Sequence, residues 1–381
     1  MEGGSEACAS WIRRPENRVL VVVGKPKIGV SPPLLEVFSF DVKTASLSAD
    51  PLVTCAMGEE DGDPVGFAVH PSGEEIVCST AKGCKLFELC DRDLIFKLVA
   101  KDLPPLQSVG PQKCLAFSSD GSKFVTGGQD GHLRIIEWPS LKVLLDEPRA
   151  HKCFRDMDIS LDSEFLVSTS TDGSARIWKI NDAAPMISLT RNPDEKIECC
   201  RFSRDGMRPF LFCTVQKGGK VVTAVWDIST WNRIGFKRLL RKPISALSVS
   251  LDGKYLALGS SDGDICVVEV KKMEISHWSK KHHLGTAISS IEFCPFERIV
   301  ISTSNQRGAV ITKLNVPADW KEWQIYFLLL SLFLGSAVIF YLFHEHSDSF
   351  WNFPLGRNQP NRPYLRTVVQ DSQLADDQSP W

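Results

Sequence analysis

A turn dipeptide recurs along this chain at intervals of about 42 to 48 residues, each time between two apolar, strand-like runs. Repeats of this period can bury their apolar faces only against their neighbours. A partial set would leave those faces in water, so the repeats should close into a single domain. The six dipeptides are Ser72-Gly73, Asp120-Gly121, Asp162-Ser163, Asp205-Gly206, Asp252-Gly253 and, in degraded form, Phe296-Glu297.

The clearest repeat lies at residues 160–180, SLDSEFLVSTSTDGSARIWKI. Its apolar, partly β-branched run at 165–168 is typical of a buried strand. The segment 171–174 (TDGS) is typical of a turn, because Asp bonds its own backbone and Gly accepts a positive φ. Residues 175–178 then alternate as in a half-buried strand. The end of this segment resembles a WD repeat, the unit of β-propellers.

The resemblance to WD repeats implies a buried, hydrogen-bonded set made of a histidine, a strand Ser or Thr, the turn Asp and a strand Trp. The matching residues here are His151, Ser168 or Ser170, Asp172 and Trp178. The role implied for this set is structural. A catalytic pair of His151 and Asp172 is the less favoured alternative.

The start of the chain predicts a seventh repeat, with strands at 10–12, 19–23 and 34–40. The predicted fold class is therefore all-β, a seven-bladed WD-type propeller over residues 1–316. No outer strand is visible for the last blade after Leu314, so that blade has three strands or borrows a fourth.

A charge-free run of nineteen residues follows the repeats at 325–343 (IYFLLLSLFLGSAVIFYLF). As a helix it matches a hydrocarbon core of about 30 Å, and aromatic residues flank it, as at membrane interfaces. We predict a single transmembrane helix with ends at Trp323 and Phe343. A buried core helix is the alternative, but core helices are rarely apolar on every side. Residues 344–381 should form a short lumenal tail, which its composition predicts to be disordered.

The orientation of this span follows from the charges beside it. Arg307, Lys313 and Lys321 precede it, whereas Arg357 alone lies within about fifteen residues after it, which favours a cytosolic N-terminal side. Residues 1–10 have no apolar signal-peptide core. The twelve cysteines show neither CxxC pairs nor zinc spacing, which is typical of a reducing compartment and predicts no metal site.

The composition argues against several function classes. The net charge of −2 gives no reason to expect nucleic acid as a partner. Hydrolase and oxidoreductase motifs and a phosphate loop are missing, so we predict a non-enzyme without cofactors. The basic segment 233–242 (RIGFKRLLRK) has two interpretations: a solvated outer strand and loop, or a patch that faces acidic lipid headgroups or a partner.

A propeller followed by one C-terminal membrane helix resembles the Sec-twelve family, the endoplasmic-reticulum exchange factors for the small GTPase Sar that start COPII vesicles. Within this family, the chain resembles the plant traffic facilitators of phosphate transporters. Loops and membrane flanks carry the resemblance as well as strands, which generic propeller similarity would not produce. The stretches are residues 10–15 (SWIRRP), 61–65 (DGDPV), 84–89 (CKLFEL), 155–158 (RDMD), 320–326 (WKEWQIY) and 347–351 (SDSFW).

The resemblance implies that the protein helps phosphate transporters leave the endoplasmic reticulum, and it does not by itself imply exchange activity. In the family's exchange factors, a Gly-rich loop with Asn in the first blade faces the GTPase and holds a potassium ion. The matching loop here, 24–33 (GKPKIGVSPP), has no Gly run and no Asn, and Lys25 and Lys27 would repel a cation. We therefore expect an accessory trafficking factor of the endoplasmic-reticulum membrane. An active exchange factor for Sar, with COPII components as partners, is the alternative. The loop residues concerned are Gly24, Lys25, Pro26, Lys27, Ile28 and Gly29.

Overall fold

The computed structural model describes residues 7–92, 95–107, 109–182, 184–190, 192–206, 209–316 and 322–345. Contacts divide the chain into two units, Met1–Val316 and Pro317–Trp381, which are described separately. The described strands lie in the first unit, and the described α-helix lies in the second.

Seven antiparallel sheets form the first unit, each built from strands that are consecutive in the chain. The first strand of each sheet packs beside the first strand of the next, and the first strand of the seventh sheet packs against that of the first. The sheets are therefore blades around a common axis. The predicted seven-bladed β-propeller is confirmed.

Each blade begins with its innermost strand and continues outward. Blades 1 to 4 consist of β1 (Cys8–Arg13), β2 (Val19–Lys25), β3 (Leu34–Asp41), β4 (Ser46–Leu47) and β5 (Val53–Ala56); β6 (Pro64–Val69), β7 (Glu75–Thr80), β8 (Cys84–Arg92) and β9 (Ile95–Lys101); β10 (Gln112–Phe117), β11 (Lys123–Gly128), β12 (Leu133–Glu137) and β13 (Lys142–Glu147); β14 (Phe154–Ile159), β15 (Phe165–Ser170), β16 (Ala175–Lys179) and β17 (Ala184–Ser188). Blades 5 to 7 consist of β18 (Glu195–Phe202), β19 (Phe210–Lys217), β20 (Lys220–Asp227) and β21 (Asn232–Lys237); β22 (Ile244–Val249), β23 (Tyr255–Ser260), β24 (Ile265–Glu269) and β25 (Glu274–Ser279); β26 (Ile288–Phe293), β27 (Ile299–Ser304) and β28 (Gly308–Lys313).

The recurring dipeptide lies in the turn between the first and second strands of a blade. In blade 3, the Ser118 hydroxyl lies 2.5 Å from Asp120 Oδ1 and accepts the backbone N–H of Lys123 at 2.9 Å. A small hydroxyl and a carboxylate thus satisfy the backbone donors of the turn. Blades 4 and 6 repeat this arrangement with Ser160, Asp162 and Phe165, and with Ser250, Asp252 and Tyr255.

The hydrophobic core lies between adjacent blades. Ile177 of blade 4, for example, packs in one cluster with Phe202 and Trp226 of blade 5. Burial of such apolar faces is the dominant favourable term in folding. Every hydrophobic cluster of described residues lies within residues 9–316. The fragment 1–316 therefore contains a complete core and should fold without the helix.

The ring closes where blade 7 meets blade 1. Blade 7 has three described strands, so the first of the two alternatives for that blade is observed. The Glu292 carboxylate of β26 accepts hydrogen bonds from the Ser10 hydroxyl at 2.9 Å and from the Trp11 backbone N–H at 3.3 Å. The Trp11 indole N–H donates to the Glu292 carbonyl oxygen at 3.3 Å. Among the described residues, side chains rather than a shared strand close the ring.

Helix α1 (Glu322–Glu345) contains the predicted membrane span. From Trp323 onward it is long and apolar enough to cross a membrane, and none of this stretch is buried against other parts of the protein. The hydroxyls of Ser331 and Ser336 each donate to a carbonyl oxygen three residues earlier at 2.7 Å, so neither requires a partner outside the helix. The helix includes both predicted ends, Trp323 and Phe343. Apart from its first two residues, the predicted tail lies outside the described residues.

Candidate functional site

The predicted WD set centres on a buried serine hydroxyl in blade 4. Ser168 Oγ lies 2.7 Å from His151 Nε2 and accepts the Trp178 indole N–H at 2.8 Å. Because this hydroxyl accepts from Trp178, its own hydrogen is free to point at the ring nitrogen of His151. Ser168, rather than Ser170, is therefore the strand member of the set. Ser170 instead accepts the backbone N–H of Asp172 at 3.4 Å.

Asp172 holds the turn rather than the histidine. Its Oδ1 accepts the backbone N–H of Ser174 at 2.8 Å, and the Ser174 hydroxyl lies 3.4 Å from His151 Nδ1. Partial burial raises the pKa of Asp172, but hydrogen bonds from Ser174 and Ser170 outweigh it and leave the pKa below its usual value. The contacts thus run from Asp172 through Ser174 to His151. Since His151 is buried and has no direct bond to Asp172 in this structure, the geometry argues against a catalytic pair.

A second histidine set lies in blade 7. His283 is fully buried, with Nε2 at 2.7 Å from Ser302 Oγ and Nδ1 at 2.6 Å from Ser304 Oγ. The spacing from His283 to Ser302 is 19 residues, close to the 17 residues between His151 and Ser168. The two sets therefore occupy equivalent positions in their blades.

The serine of the blade 4 set should carry the larger part of its stabilisation. Ser168→Ala would leave His151 Nε2 and the Trp178 indole N–H without a hydrogen-bond partner. We therefore expect a loss of about 1–3 kcal/mol in the free energy of unfolding. Asp172→Ala should cost less, because its side chain is partly exposed. Urea unfolding of fragment 1–316 measures both, with the exposed Ser140→Ala as control. An unchanged midpoint for Ser168→Ala would show that the set adds no stability.

Acid should destabilise the propeller through its two buried histidines. Burial lowers the pKa of His151 and of His283 to about 4, from 6.5 for a free histidine. Between these two pKa values the unfolded chain binds more protons than the folded chain. The stability that the neutral histidines contribute is therefore complete above about pH 6.5 and decreases until the pH reaches about 4. We expect a loss of about 1.4 kcal/mol per pH unit and histidine in this window. Unfolding titrations at several pH values measure it, and a His151→Asn variant with undiminished pH dependence would contradict a neutral His151.

The first-blade loop begins at the end of β2, and its two lysines are both paired with carboxylates. Lys25 Nζ lies 2.6 Å from Glu36 Oε2, and Lys27 Nζ lies 2.6 Å from Glu59 Oε1. The Lys27 backbone N–H also donates to Asp63 Oδ1 at 2.7 Å. Their repulsion of a cation is therefore weaker than the sequence alone implies.

The tip of this loop presents apolar side chains to solvent. An isolated β-bridge joins Ile28 to Ser31, and Gly29 between them has a φ of 60°, which favours glycine. Ile28 is 72% exposed and Val30 is 99% exposed. Gly24 has another role, since a Cβ there would lie 2.6 Å from the sulfur of Cys8. The loop is thus a fixed, partly apolar projection that a protein partner could contact.

The central channel, about 500 Å³ in volume, is lined by both cationic and anionic side chains, four of which form two ion pairs. Arg201 Nη1 lies 2.6 Å from Asp156 Oδ2, and Arg204 Nη2 lies 2.8 Å from Asp158 Oδ1. Both carboxylates also accept backbone N–H groups of blade 5. These pairs join blade 4 to blade 5, which gives the stretch 155–158 a structural role. Within the described part of the chain, no group of three or more His, Cys, Asp or Glu side chains could hold a metal ion.

The chain matches one curated relative along its whole length and a second along most of it. It is 55% identical over 387 residues to SEC12-like protein 1 of Arabidopsis thaliana, which covers 100% of this chain and 97% of that protein. It is 33% identical to SEC12-like protein 2 of the same plant, over 73% of this chain and 71% of that protein. The chain belongs to the SEC12-like family.

Two further comparisons refine this placement. The WD domain, G-beta repeat, matches residues 107–137 and 142–179 of this SEC12-like chain, which include blades 3 and 4 for the most part and the His151 set. The guanine nucleotide-exchange factor SEC12 of Mus musculus is 28% identical over 48% of this chain and 47% of its own length. The similarity to an exchange factor thus extends over about half of each protein.

Sequence reasoning missed several functional contacts of this SEC12-like protein. His283 could have been found from its distance to Ser302, but the blade lacks the tryptophan that marks the His151 set. The ion pair of Lys25 with Glu36 joins the neighbouring strands β2 and β3, and that of Lys27 with Glu59 joins two loops. The local sequence pattern indicates neither pair. Ser174 as the link between Asp172 and His151 also depends on the folded turn.

Proposed function

We propose that this protein is a trafficking factor of the endoplasmic-reticulum membrane that helps phosphate transporters leave that compartment, without nucleotide exchange on Sar. Membership of the SEC12-like family supports the transport role. The resemblance of loop and membrane-flank segments to plant traffic facilitators motivates the choice of clients. The propeller would act by binding, since it offers a broad, rigid surface.

The residues of the first-blade loop support the proposal that exchange activity is absent. Residues 26–33 (PKIGVSPP) include no Asn that could reach a nucleotide. The exposed Ile28 and Val30 fit an apolar partner surface rather than phosphate or a cation. The ion pair between Lys27 and Glu59 also ties the loop to its neighbour.

Active exchange on Sar remains the second candidate. It is favoured by the similarity to the mouse exchange factor and by the carboxylates that neutralise Lys25 and Lys27. Purified fragment 1–316 added to Sar loaded with a fluorescent nucleotide separates the two. We expect release at the intrinsic rate of Sar, with mouse SEC12 as the positive control. Acceleration that disappears in an Ile28→Ser, Val30→Ser variant would establish the exchange function instead.

We also propose a topology with domains at 1–316, 323–343 and 344–381: a cytosolic propeller, one membrane-spanning helix and a lumenal tail. The lysine and arginine bias before the helix supports it. In intact microsomes, protease added outside should digest the propeller and spare a tag fused after Trp381. Digestion of the tag with protection of the propeller would reverse the orientation.

A further inference from the structure

A basic groove lies at the outer rim of blades 5 and 6. We define the basic groove by Arg238, Arg241, Lys242, Trp278 and Lys280, which line a depression of about 770 Å³. Four cationic side chains face two carboxylates there, so the groove has a positive excess although the whole chain has a net charge of −2. The positive charge is therefore concentrated locally.

The cations of the groove remain largely available to a ligand. Lys242 forms an ion pair with Asp262 at 2.8 Å, but among the described residues Arg238 and Arg241 have no carboxylate partner. Lys280 Nζ lies 5.1 Å from the centre of the Trp278 ring. The ring attracts the ammonium group but does not neutralise its charge, so the charge stays available to an anion.

Exposed apolar side chains accompany these cations. Trp278 is 45% exposed, and Ile234 and Phe236 on β21 are 58% and 68% exposed. Aromatic rings beside Lys and Arg are the composition of surfaces that lie in the headgroup region of a bilayer, where one end is apolar and the other wet. An acidic peptide would use the cations but would not require this apolar set.

Strand β25, which carries Trp278, also contacts the last described residues of the propeller. The backbone N–H of Asn315 donates to His277 Nδ1 at 3.3 Å, and His277 is the neighbour of Trp278 on β25.

We infer that the basic groove binds the surface of an anionic phospholipid bilayer, with Arg238, Arg241 and Lys280 on the headgroup phosphates and Trp278 and Phe236 among the upper acyl groups. Each basic side chain near such a surface contributes additively to binding. The propeller would then contact the bilayer through one defined part of its rim.

Vesicle flotation of fragment 1–316 tests this inference. The vesicles contain phosphatidylcholine alone, or phosphatidylcholine with phosphatidylinositol at about one lipid in four. We expect binding to the anionic vesicles, weakened by salt, and little binding to the neutral ones. The variant Arg238→Glu, Arg241→Glu, Lys280→Glu should lose about a hundredfold in affinity. Trp278→Ser with Phe236→Ser should also weaken binding while the charge stays unchanged.

A matched variant with the same change in net charge supplies the control. Lys97→Glu, Lys142→Glu and Arg149→Glu reverse three exposed cations on blades 2 and 3 and should leave vesicle binding intact. Equal loss in both triple variants, or no binding to anionic vesicles by a fragment with native circular dichroism, overturns the inference. Capture of a poly-glutamate peptide through the groove, without vesicle binding, would identify an acidic protein partner and likewise overturn it.

Discussion

Loss of the protein should leave phosphate transporters in the endoplasmic reticulum, whereas general secretory cargo still leaves it. A factor that does not drive exchange on Sar is not required for every COPII vesicle. It can still raise the chance of export for selected clients, because a propeller held at the membrane meets their cytosolic segments at high effective concentration. The fraction of a tagged transporter at the plasma membrane, compared with a secreted reporter in the same cells, measures the effect.

Arrest of both cargoes would contradict the accessory role and support a general exchange factor. The two roles also separate in a loop variant. Residues 26–32 replaced by a Gly/Ser segment of equal length should leave transporter delivery largely intact, because Gly24 and Lys25 remain in β2. Lost delivery together with lost exchange on Sar would assign the loop to catalysis of exchange. A Lys97→Glu variant serves as the surface control.

The regular parts of the fold were predictable because they repeat a local signal. Ser118 lies two residues before Asp120, the first residue of a turn dipeptide. The two side chains bond within one hairpin, so its backbone donors need no distant partner. The same holds for the strand pair that brings Ser168 beneath Trp178. Periodicity therefore predicted six blades, and the strand pattern near the start of the chain predicted the seventh. The helix followed from its length and apolar composition alone.

The contacts that the sequence did not predict join residues far apart in the chain. Lys27 meets Glu59 across two loops, and Asp156 meets Arg201, 45 residues later, across the boundary between two blades. The repeat interval brings such blade positions side by side, but it does not specify which side chains pair. Such pairs depend on the register between blades, which is fixed only when the ring closes. The sequence therefore overstated the repulsion of a cation by Lys25 and Lys27 and left the closure of the ring open.

The seam between blades 7 and 1 should be the position where the ring opens first. Trp11 is 6% exposed there, with its ring centre 5.0 Å from that of Phe40 in an edge-on contact. It belongs to a cluster that joins β1 and β2 to Cys294 and Ile301 of blade 7. With no shared strand among the described residues, this cluster and the Glu292 hydrogen bonds hold the two ends of the propeller together.

Trp11→Ala should therefore destabilise fragment 1–316 by about 3–5 kcal/mol, because it leaves a cavity in the seam. We expect this loss to be the largest among single tryptophan truncations at the seam and the rim. It also removes the indole donor to the Glu292 carbonyl. Trp278→Ala is the matched control: its ring is 45% exposed, and we expect a change within about 0.5 kcal/mol. Urea unfolding measures both, and hydrogen exchange should show faster opening of β1 and β26 in the Trp11 variant before the other blades respond. Equal stability losses in the two variants, or exchange that rises uniformly around the ring, would mean that the propeller is held closed by something other than this seam.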